Sequence, residues 1–308
     1  MSRRRRILEV VGPLNVADQV DALRSGRAYA DLSGWRKVLV SGPDARTWLN
    51  DLLSAELSDL AVGATLRSLL LSPTGRIRAD VTVAATARGL VLLQDPIQPA
   101  PIDGLLGPYV LSSDVGLVDV SEDLALLAFP ERTDPPAPAD VPAETLRPSC
   151  LGPGADLLVD DDRFPETRTN LSDLIEAGPE ALEGWRIERG VARFGVDLGE
   201  DSLPQEAGLD HAVAYQKGCF LGQEAMARVR NLGHPPFLVL AGGADGPVTA
   251  GEGVTADGQT VGTVTSATPL DQGRTATIVR VRWAARAATL RTEADGTLRP
   301  VGPASGSD

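Results

Sequence analysis

The hydrophobic pattern of this chain changes period several times, and each change predicts an element. Ala45, Trp48, Leu49, Leu52 and Leu53 fall at i, i+3, i+4, i+7 and i+8, the apolar stripe of an amphipathic helix. Ser41 or Gly42 is placed to cap that helix, and Pro43 suits its first position. Residues 37–40 ahead of it read as a short strand. Behind it, 68–71, 80–84 and 90–93 are strand runs, and 124–129 is one more. Pro73-Thr74-Gly75 predicts the turn between the first two of these, because proline presets φ and glycine tolerates a positive φ. Strand, helix, strand, turn and strand in this order predict an α+β layer, with helices on one face of an antiparallel sheet.

Downstream the punctuation is heavier. Asp134-Pro135-Pro136-Ala137-Pro138-Ala139-Asp140 suits neither a helix interior nor a central strand, and predicts a linker or surface loop. Residues 157–159 read as a strand running into an acidic turn of three aspartates. These lack the alternating ligands of a calcium loop and predict a solvated turn. Residues 172–189 read as two short helices broken at Gly178-Pro179, the second ending at Gly190. Beyond Pro235-Pro236, β-rich runs at 237–240, 261–265 and 277–283 with turns such as Asp257-Gly258 predict a small barrel or sandwich. Residues 302–308 are expected to fray. The organisation predicted is a first α+β module over 1–133, a Pro-rich linker over 134–148, a second α+β module over 149–234 and a C-terminal β-barrel over 235–308.

Composition narrows the function. A hydrophobic content of 43% over 308 residues supports a buried core. The net charge of −13 argues against nucleic-acid coating, which needs Lys and Arg to displace counterions. No run reaches the roughly 20 apolar residues of a membrane span. Ser2-Arg3-Arg4-Arg5-Arg6 leads into Glu9, Pro13, Asn15, Asp18 and Gln19 rather than an apolar run, so a solvated basic tail is expected, not a signal peptide. Cys150 and Cys219 with His211 and His234 lack the paired spacing of a zinc site, and two thiolates cannot hold a four-cysteine cluster, so no metal site is expected. Such sparse cysteine fits a reducing cytoplasm. Lys37 and Lys217 are the only lysines among many arginines.

The informative stretch is 185–233, where glycines and polar residues crowd beyond what packing requires. Lys217-Gly218-Cys219-Phe220-Leu221-Gly222-Gln223-Glu224 resembles the signature of YgfZ-type folate-binding proteins, relatives of the aminomethyltransferase (T-protein) of the glycine cleavage system. Arg186-Ile187-Glu188-Arg189-Gly190 resembles the family's Arg-x-Glu-x-Gly, and Phe194-Gly195-Val196-Asp197 and Leu203-Pro204-Gln205-Glu206 fit as well. So do Asp31-Leu32-Ser33 and the run Val40-Ser41-Gly42-Pro43-Asp44-Ala45 near the start. Val261-Gly262-Thr263-Val264-Thr265-Ser266 is similar to the family's C-terminal Gly-x-x-Thr-Ser stretch.

The resemblance implies two mixed α/β-sheet modules and a small β-barrel around a central hole that holds tetrahydrofolate. It implies Glu188 as the carboxylate that accepts two donors from one pterin edge, in the fork a carboxylate offers. Arg186 belongs to the same motif, and Trp185, Phe194 and Tyr215 would line the pterin slot. Arg228 and Arg230 would meet the anionic tail through their planar forks. Cys219, after Lys217 and Gly218 and ahead of a helix start expected near Gly222, has the setting of a reactive thiolate. Gly218 and Gly222 would allow close backbone approach or positive φ, with Gln223 and Glu224 as supporting groups at the helix start. Cys150 reads as structural. The T-protein's Gly-Gly-x-x-Asp-Asp run corresponds to residues 75–80, where the second Asp is kept as Asp80 and the first is Ala79. An acid–base role needs a titratable group in reach of the reacting amine, which weakens transfer and leaves Asp80 as its one candidate.

Three readings follow. The first, implied by the YgfZ-type signature, is a cytoplasmic tetrahydrofolate-binding accessory protein for assembly, maintenance or repair of iron–sulfur enzymes, tRNA-modifying ones included. Its partners would be folate and client proteins met through Cys219, with no direct nucleic-acid or membrane contact. The second is a folate-dependent aminomethyltransferase or demethylase. The third is a scaffold that kept the fold and lost the pocket.

Overall fold

The structure, a computed structural model, describes residues 14–111, 113–136, 143–293 and 296–304. The basic tail, residues 137–140 of the proline-rich run and residues 305–308 lie outside the described residues. The chain begins with α1 (Val16–Arg24), β1 (Ala28–Asp31), β2 (Arg36–Ser41), α2 (Ala45–Leu52), β3 (Thr65–Leu71), β4 (Ile77–Thr86) and β5 (Gly89–Gln94). It continues with α3 (Ile102–Leu106), β6 (Gly116–Asp119), β7 (Leu124–Phe129), β8 (Ala143–Leu146), β9 (Ala155–Asp160), α4 (Phe164–Asn170), β10 (Ile175–Ala177), α5 (Pro179–Glu188) and α6 (Gln223–Leu232). The C-terminal part is mostly strand: β11 (Phe237–Asp245), β12 (Gly253–Ala256), β13 (Gln259–Pro269), β14 (Arg274–Arg282), β15 (Arg291–Thr292) and β16 (Leu298–Pro303), with short 3-10 turns at Asp271–Gly273 and Trp283–Ala285.

These elements form a mixed α and β fold with three sheets. The first runs β10-β1-β7-β9-β8, the second β3-β4-β5-β2-β6 and the third β15-β12-β13-β14-β11-β16. β10 lies parallel to β1, whereas the second and third sheets pair antiparallel. A bridge between Arg291 and Thr297 brings the two edges of the third sheet together. The first two sheets pack face to face, Ala30, Leu126 and Leu158 against Ala84, Val91 and Leu93. The far face of the second sheet buries Val38 and Val40 beneath Trp48 and Leu49 of α2, the stripe that the helical spacing predicts. Another core joins Leu69, Leu71 and Ile77 of the β3–β4 hairpin to Ile187 of α5 and to Val239 and Ile278 of the third sheet, so the hairpin, α5 and the C-terminal sheet share one interior. Among the described residues no helix is long and apolar enough to cross a membrane.

Several elements differ from the sequence reading. Residues 175–177 are not helical: β10 forms because the parallel register with Ala28, Tyr29 and Ala30 supplies hydrogen bonds that three residues could not find alone. Gly302 and Pro303 do not fray, since β16 pairs with β11 and Ala304 beyond it is buried. Asp44, not Ser41 or Gly42, stands at the N-cap of α2, and it makes no side-chain capping bond. Gly42 is needed for another reason: its φ is +108°, and a Cβ there would lie 2.3 Å from the Asp114 carbonyl oxygen. The sequence reading passed over α1, whose cap is Asn15, accepting the Asp18 N–H at 2.9 Å.

Candidate functional site

A cavity of about 940 Å³ opens where β1, the β3–β4 hairpin and α5 meet. Its walls carry arginine–carboxylate pairs, formed across a hairpin, between distant segments and within one helix. Arg67 on β3 and Asp80 on β4 are diagonal neighbours on one face of the hairpin, since Leu69 is the residue opposite Asp80. Nε and Nη2 of Arg67 donate to the two Asp80 oxygens at 3.0 and 2.5 Å, a side-on fork. Burial alone would lower the Arg67 pKa, and the facing carboxylate more than offsets it. Arg193 makes the same fork to Asp95, at 2.5 and 3.0 Å.

The third group centres on α5. Nε and Nη2 of Arg186 donate to Glu183 at 2.9 and 2.5 Å, and Arg193 stands 3.5 Å from the same carboxylate. Burial would raise the Glu183 pKa, but the Arg186 bonds and the two positive charges hold it below the usual range. The other side of Arg186 faces inward. Its Nη1 donates to Asp197 at 2.7 Å and its Nη2 to the Ser266 hydroxyl at 2.9 Å. Asp197, with no exposed side-chain surface, also accepts from Thr265 at 2.6 Å, Ser266 at 2.7 Å and the Arg193 N–H at 3.0 Å. Three segments quoted for the family resemblance, at Arg186, Asp197 and Thr265-Ser266, thus meet in one buried network that fastens the C-terminal sheet to α5. A second fastening uses Glu206, whose buried carboxylate accepts from Arg280 of β14 at 3.2 and 3.1 Å.

Three other groups border the cavity. His211 sits beside Arg67 and Asp80 in a 3-10 turn (Leu209–Ala212), and burial, then the Arg67 charge, lowers its pKa. Cys150 lines the wall, with its thiol pushed well up by burial and by Asp156. Asp156 itself lies fully buried behind the wall, accepting from Ser149 Oγ at 2.5 Å and the Cys150 N–H at 2.8 Å, and burial pushes its carboxyl up to about 6. Trp185 lines the cavity at 2% exposure, and its indole N–H meets no acceptor among the described residues.

Of the site residues proposed from sequence, Asp80, Trp185, Arg186 and Phe194 border this cavity. Glu188 does not; its carboxylate pairs with Arg24 of α1 and is 17% exposed. Five residues along a helix turn it about 140° from Glu183, which carries it to the α1 side. Tyr215 lies elsewhere too, donating to Asp210 at 2.7 Å beneath the Arg230 guanidinium, at the edge of a separate cleft of about 320 Å³. Gln223 and Glu224 line that cleft, and Arg228 is an exposed partner of Glu224 at 3.4 Å.

The 217–224 loop is a different kind of place. Cys219 is exposed, and the helix expected after it is α6, with Gly222 as its N-cap. Gly222 has φ +85°, and a Cβ there would meet the Ser72 carbonyl oxygen at 2.6 Å, so the loop presses onto the β3–β4 turn. Gly218 has no such need: its φ is not positive and a Cβ would meet nothing. Lys217 commits its ammonium to three carbonyls at the end of α2, those of Asn50, Leu53 and Ala55, at 2.5, 2.6 and 2.7 Å, and burial pulls it down to about 8.

Sequence reasoning missed Arg67, Asp95, Glu183, Arg193 and His211. The Glu183–Arg186 pair carried a signal, i,i+3 on a predicted helix. The other pairs join residues dozens of positions apart, or across a hairpin whose register no local pattern states.

Residues 14–129 match the family model of the GCVT N-terminal domain. A putative chloroplastic transferase of Arabidopsis thaliana is 25% identical over 282 residues, covering 82% of this chain and 65% of the relative. An aminomethyltransferase of Caldanaerobacter subterraneus is 25% identical over 293 residues, covering 82% of this chain and 76% of the relative. The crystal structure of the glycine cleavage system aminomethyltransferase T from Bartonella henselae superposes with a TM-score of 0.76 over 96% of this chain and 90% of that one, at 18% identity, which is a likeness of fold. The chain is therefore similar in sequence to aminomethyltransferases over about four fifths of its length and carries their fold.

Proposed function

We propose that this protein binds a reduced folate in the cavity and serves iron–sulfur enzymes as a cytoplasmic accessory factor of the YgfZ type, tRNA-modifying enzymes among its clients, with Cys219 as its point of contact. The observation that carries the reading is the cavity, whose volume lies in the range of small-molecule sites, roughly 300–1,000 Å³. Its chemistry fits a folate. Carboxylates on the wall suit the donors of a pterin. Similarity to aminomethyltransferases supports the same ligand.

Two features favour an accessory role over transfer. Both oxygens of Asp80 are engaged by Arg67, and the neighbouring position is Ala79, which has no proton to give. Cys219 stands exposed and outside the cavity, accessible to a macromolecule rather than to a bound folate. The aminomethyltransferase reading draws on the similarity to aminomethyltransferases and on Asp80 bordering the cavity. Titration with tetrahydrofolate, an assay with a lipoylated aminomethyl donor, and iron–sulfur enzyme activities in cells carrying Cys219→Ser decide between them. The expected result is folate binding, no efficient transfer, and lowered client activities in the variant with its fold intact. Robust transfer with full client activity would install the second reading.

A further inference from the structure

We propose that Lys37 is a positioning residue of the cavity: its buried ammonium fixes the β1–β2 loop, residues 32–35, in the shape that a ligand meets. The inference takes its ligand from the folate reading, whereas the loop itself is measured without one. Leu32, Gly34 and Trp35 border the cavity, and Lys37 does not. Its Nζ donates to the Ser33 carbonyl at 2.6 Å and the Trp35 carbonyl at 2.8 Å, the two on either side of Gly34. No other donor among the described residues takes either carbonyl. A trans peptide sets its N–H opposite its C=O. Turning the Ser33 carbonyl to Lys37 therefore sends the Gly34 N–H the other way, and no acceptor among the described residues takes it. A free main-chain donor on a cavity wall, at a residue whose Cβ position is open space, suits an oxygen or nitrogen acceptor of a ligand.

Packing alone does not call for a lysine here. Lys37 has no exposed surface, and its ammonium bonds to main-chain carbonyls and, among the described residues, to no carboxylate. Burying a charge in this way costs free energy that an apolar side chain of similar length would not. Burial pulls the Lys37 pKa down to about 8, against Asp119 of β6, Asp31 of β1, Glu122 ahead of β7 and Asp161 after β9, which favour the charge. Arg36, the next residue along β2, is a like charge. Above that pH the side chain is a neutral amine, and bonds from a neutral donor are roughly half as strong as charge-assisted ones. The hold on the loop then weakens. Global stability moves the other way: the unfolded chain keeps the proton up to 10.5, so between about 8 and 10.5 stability rises with pH. A local loosening without global loss is the mark of a side chain kept for the shape of the wall.

The test compares the intact protein with Lys37→Met. Amide hydrogen exchange of residues 31–37 is followed from about pH 6.5 to about pH 9, corrected for the intrinsic rate, a span that brackets the Lys37 value. Urea denaturation and titration with tetrahydrofolate accompany it. Lysine labelled with carbon-13 at Cε gives two signals in the parent protein, and the one missing from Lys37→Met reports the titration of Lys37. The expected result in the parent is that protection of 31–37 falls with the midpoint of that signal while other segments keep theirs. Lys37→Met should exchange this segment roughly tenfold faster at neutral pH, show no step with pH, bind tetrahydrofolate roughly tenfold more weakly and resist urea at least as well. Unchanged protection in Lys37→Met, no change in the parent across the Lys37 titration, or unchanged tetrahydrofolate affinity beside a loosened loop overturns the assignment. The pH profile of the parent decides alone if the variant does not fold. If the loop responds as expected and the parent binds no tetrahydrofolate, the folate reading falls and the hold of Lys37 on the wall stands.

Discussion

The cavity wall and the 217–224 loop use polar residues in opposite ways. On the wall, side chains hold one another: Arg67 with Asp80 across a hairpin, Arg193 with the distant Asp95, and Arg186 with Glu183 on its own helix and with Asp197. In the loop, side chains serve backbone or stand in solvent. Lys217 closes the end of α2, Gly222 makes room for the Ser72 carbonyl, and Cys219 is exposed. The segment with the densest motif is thus the one farthest in character from a small-molecule site. A crowded signature marks where a chain is constrained, and here the constraints are those of docking one segment on another as much as those of binding.

The comparison breaks most visibly at Asp197. If the wall depends on the buried network, Asp197→Ala should cost about 3–5 kcal/mol, because Nη1 of Arg186, the Thr265 and Ser266 hydroxyls and the Arg193 N–H all lose their buried acceptor, although Glu183 still pairs the guanidinium. Urea denaturation measures this, and a loss under 1 kcal/mol would show that the wall stands without its anchor. A somewhat smaller effect is expected behind the wall. The Asp156 carboxyl is pushed up from 3.8 to about 6, so between those pH values the folded state holds a proton that the unfolded chain has released. Asp156 therefore draws stability down as pH rises through that window, by about 3 kcal/mol in full. Asp156→Asn should remove this slope, so the variant gains on the parent protein between pH 4 and pH 6.5, roughly the span of those pKa values. Parallel stability curves for the two proteins would refute it.

The smallest effect sharpens the contrast directly. Cys219 is exposed, whereas Cys150 lines the wall with its thiol pushed well up. Iodoacetamide at neutral pH should modify Cys219 at least about tenfold faster, read by mass spectrometry of the two peptides. Equal rates would mean that the wall opens freely to solvent.

Much of the second sheet was legible because its pattern is local. The stripe from Ala45 to Leu53 and the apolar runs of β2, β3, β4 and β5 have the periods of their elements. β10 was not, because three residues become a strand only when β1 lies alongside. Within the site, the resemblance pointed to α5, where Trp185 and Arg186 border the cavity and Glu188 pairs with Arg24 of α1 instead. Arg186, Asp197 and Thr265-Ser266 marked the lock between α5 and the C-terminal sheet, while Asp80, Trp185 and Phe194 border the cavity. Arg67 and Arg193 were out of reach of any local reading, since what makes each a wall residue is a partner set by strand register or by tertiary packing.

The two lysines have a practical consequence. Lys37 is fully buried with its ammonium on the Ser33 and Trp35 carbonyls, and Lys217 is held by three more. With no other lysine in the sequence, the positive charge this protein shows to solvent is carried by guanidinium groups. Such groups stay charged across the working pH range and ignore amine-directed reagents. Acylating labels and amine cross-linkers will find little on the folded chain beyond its α-amino group, and covalent attachment to a surface or a probe is better routed through the thiol of Cys219.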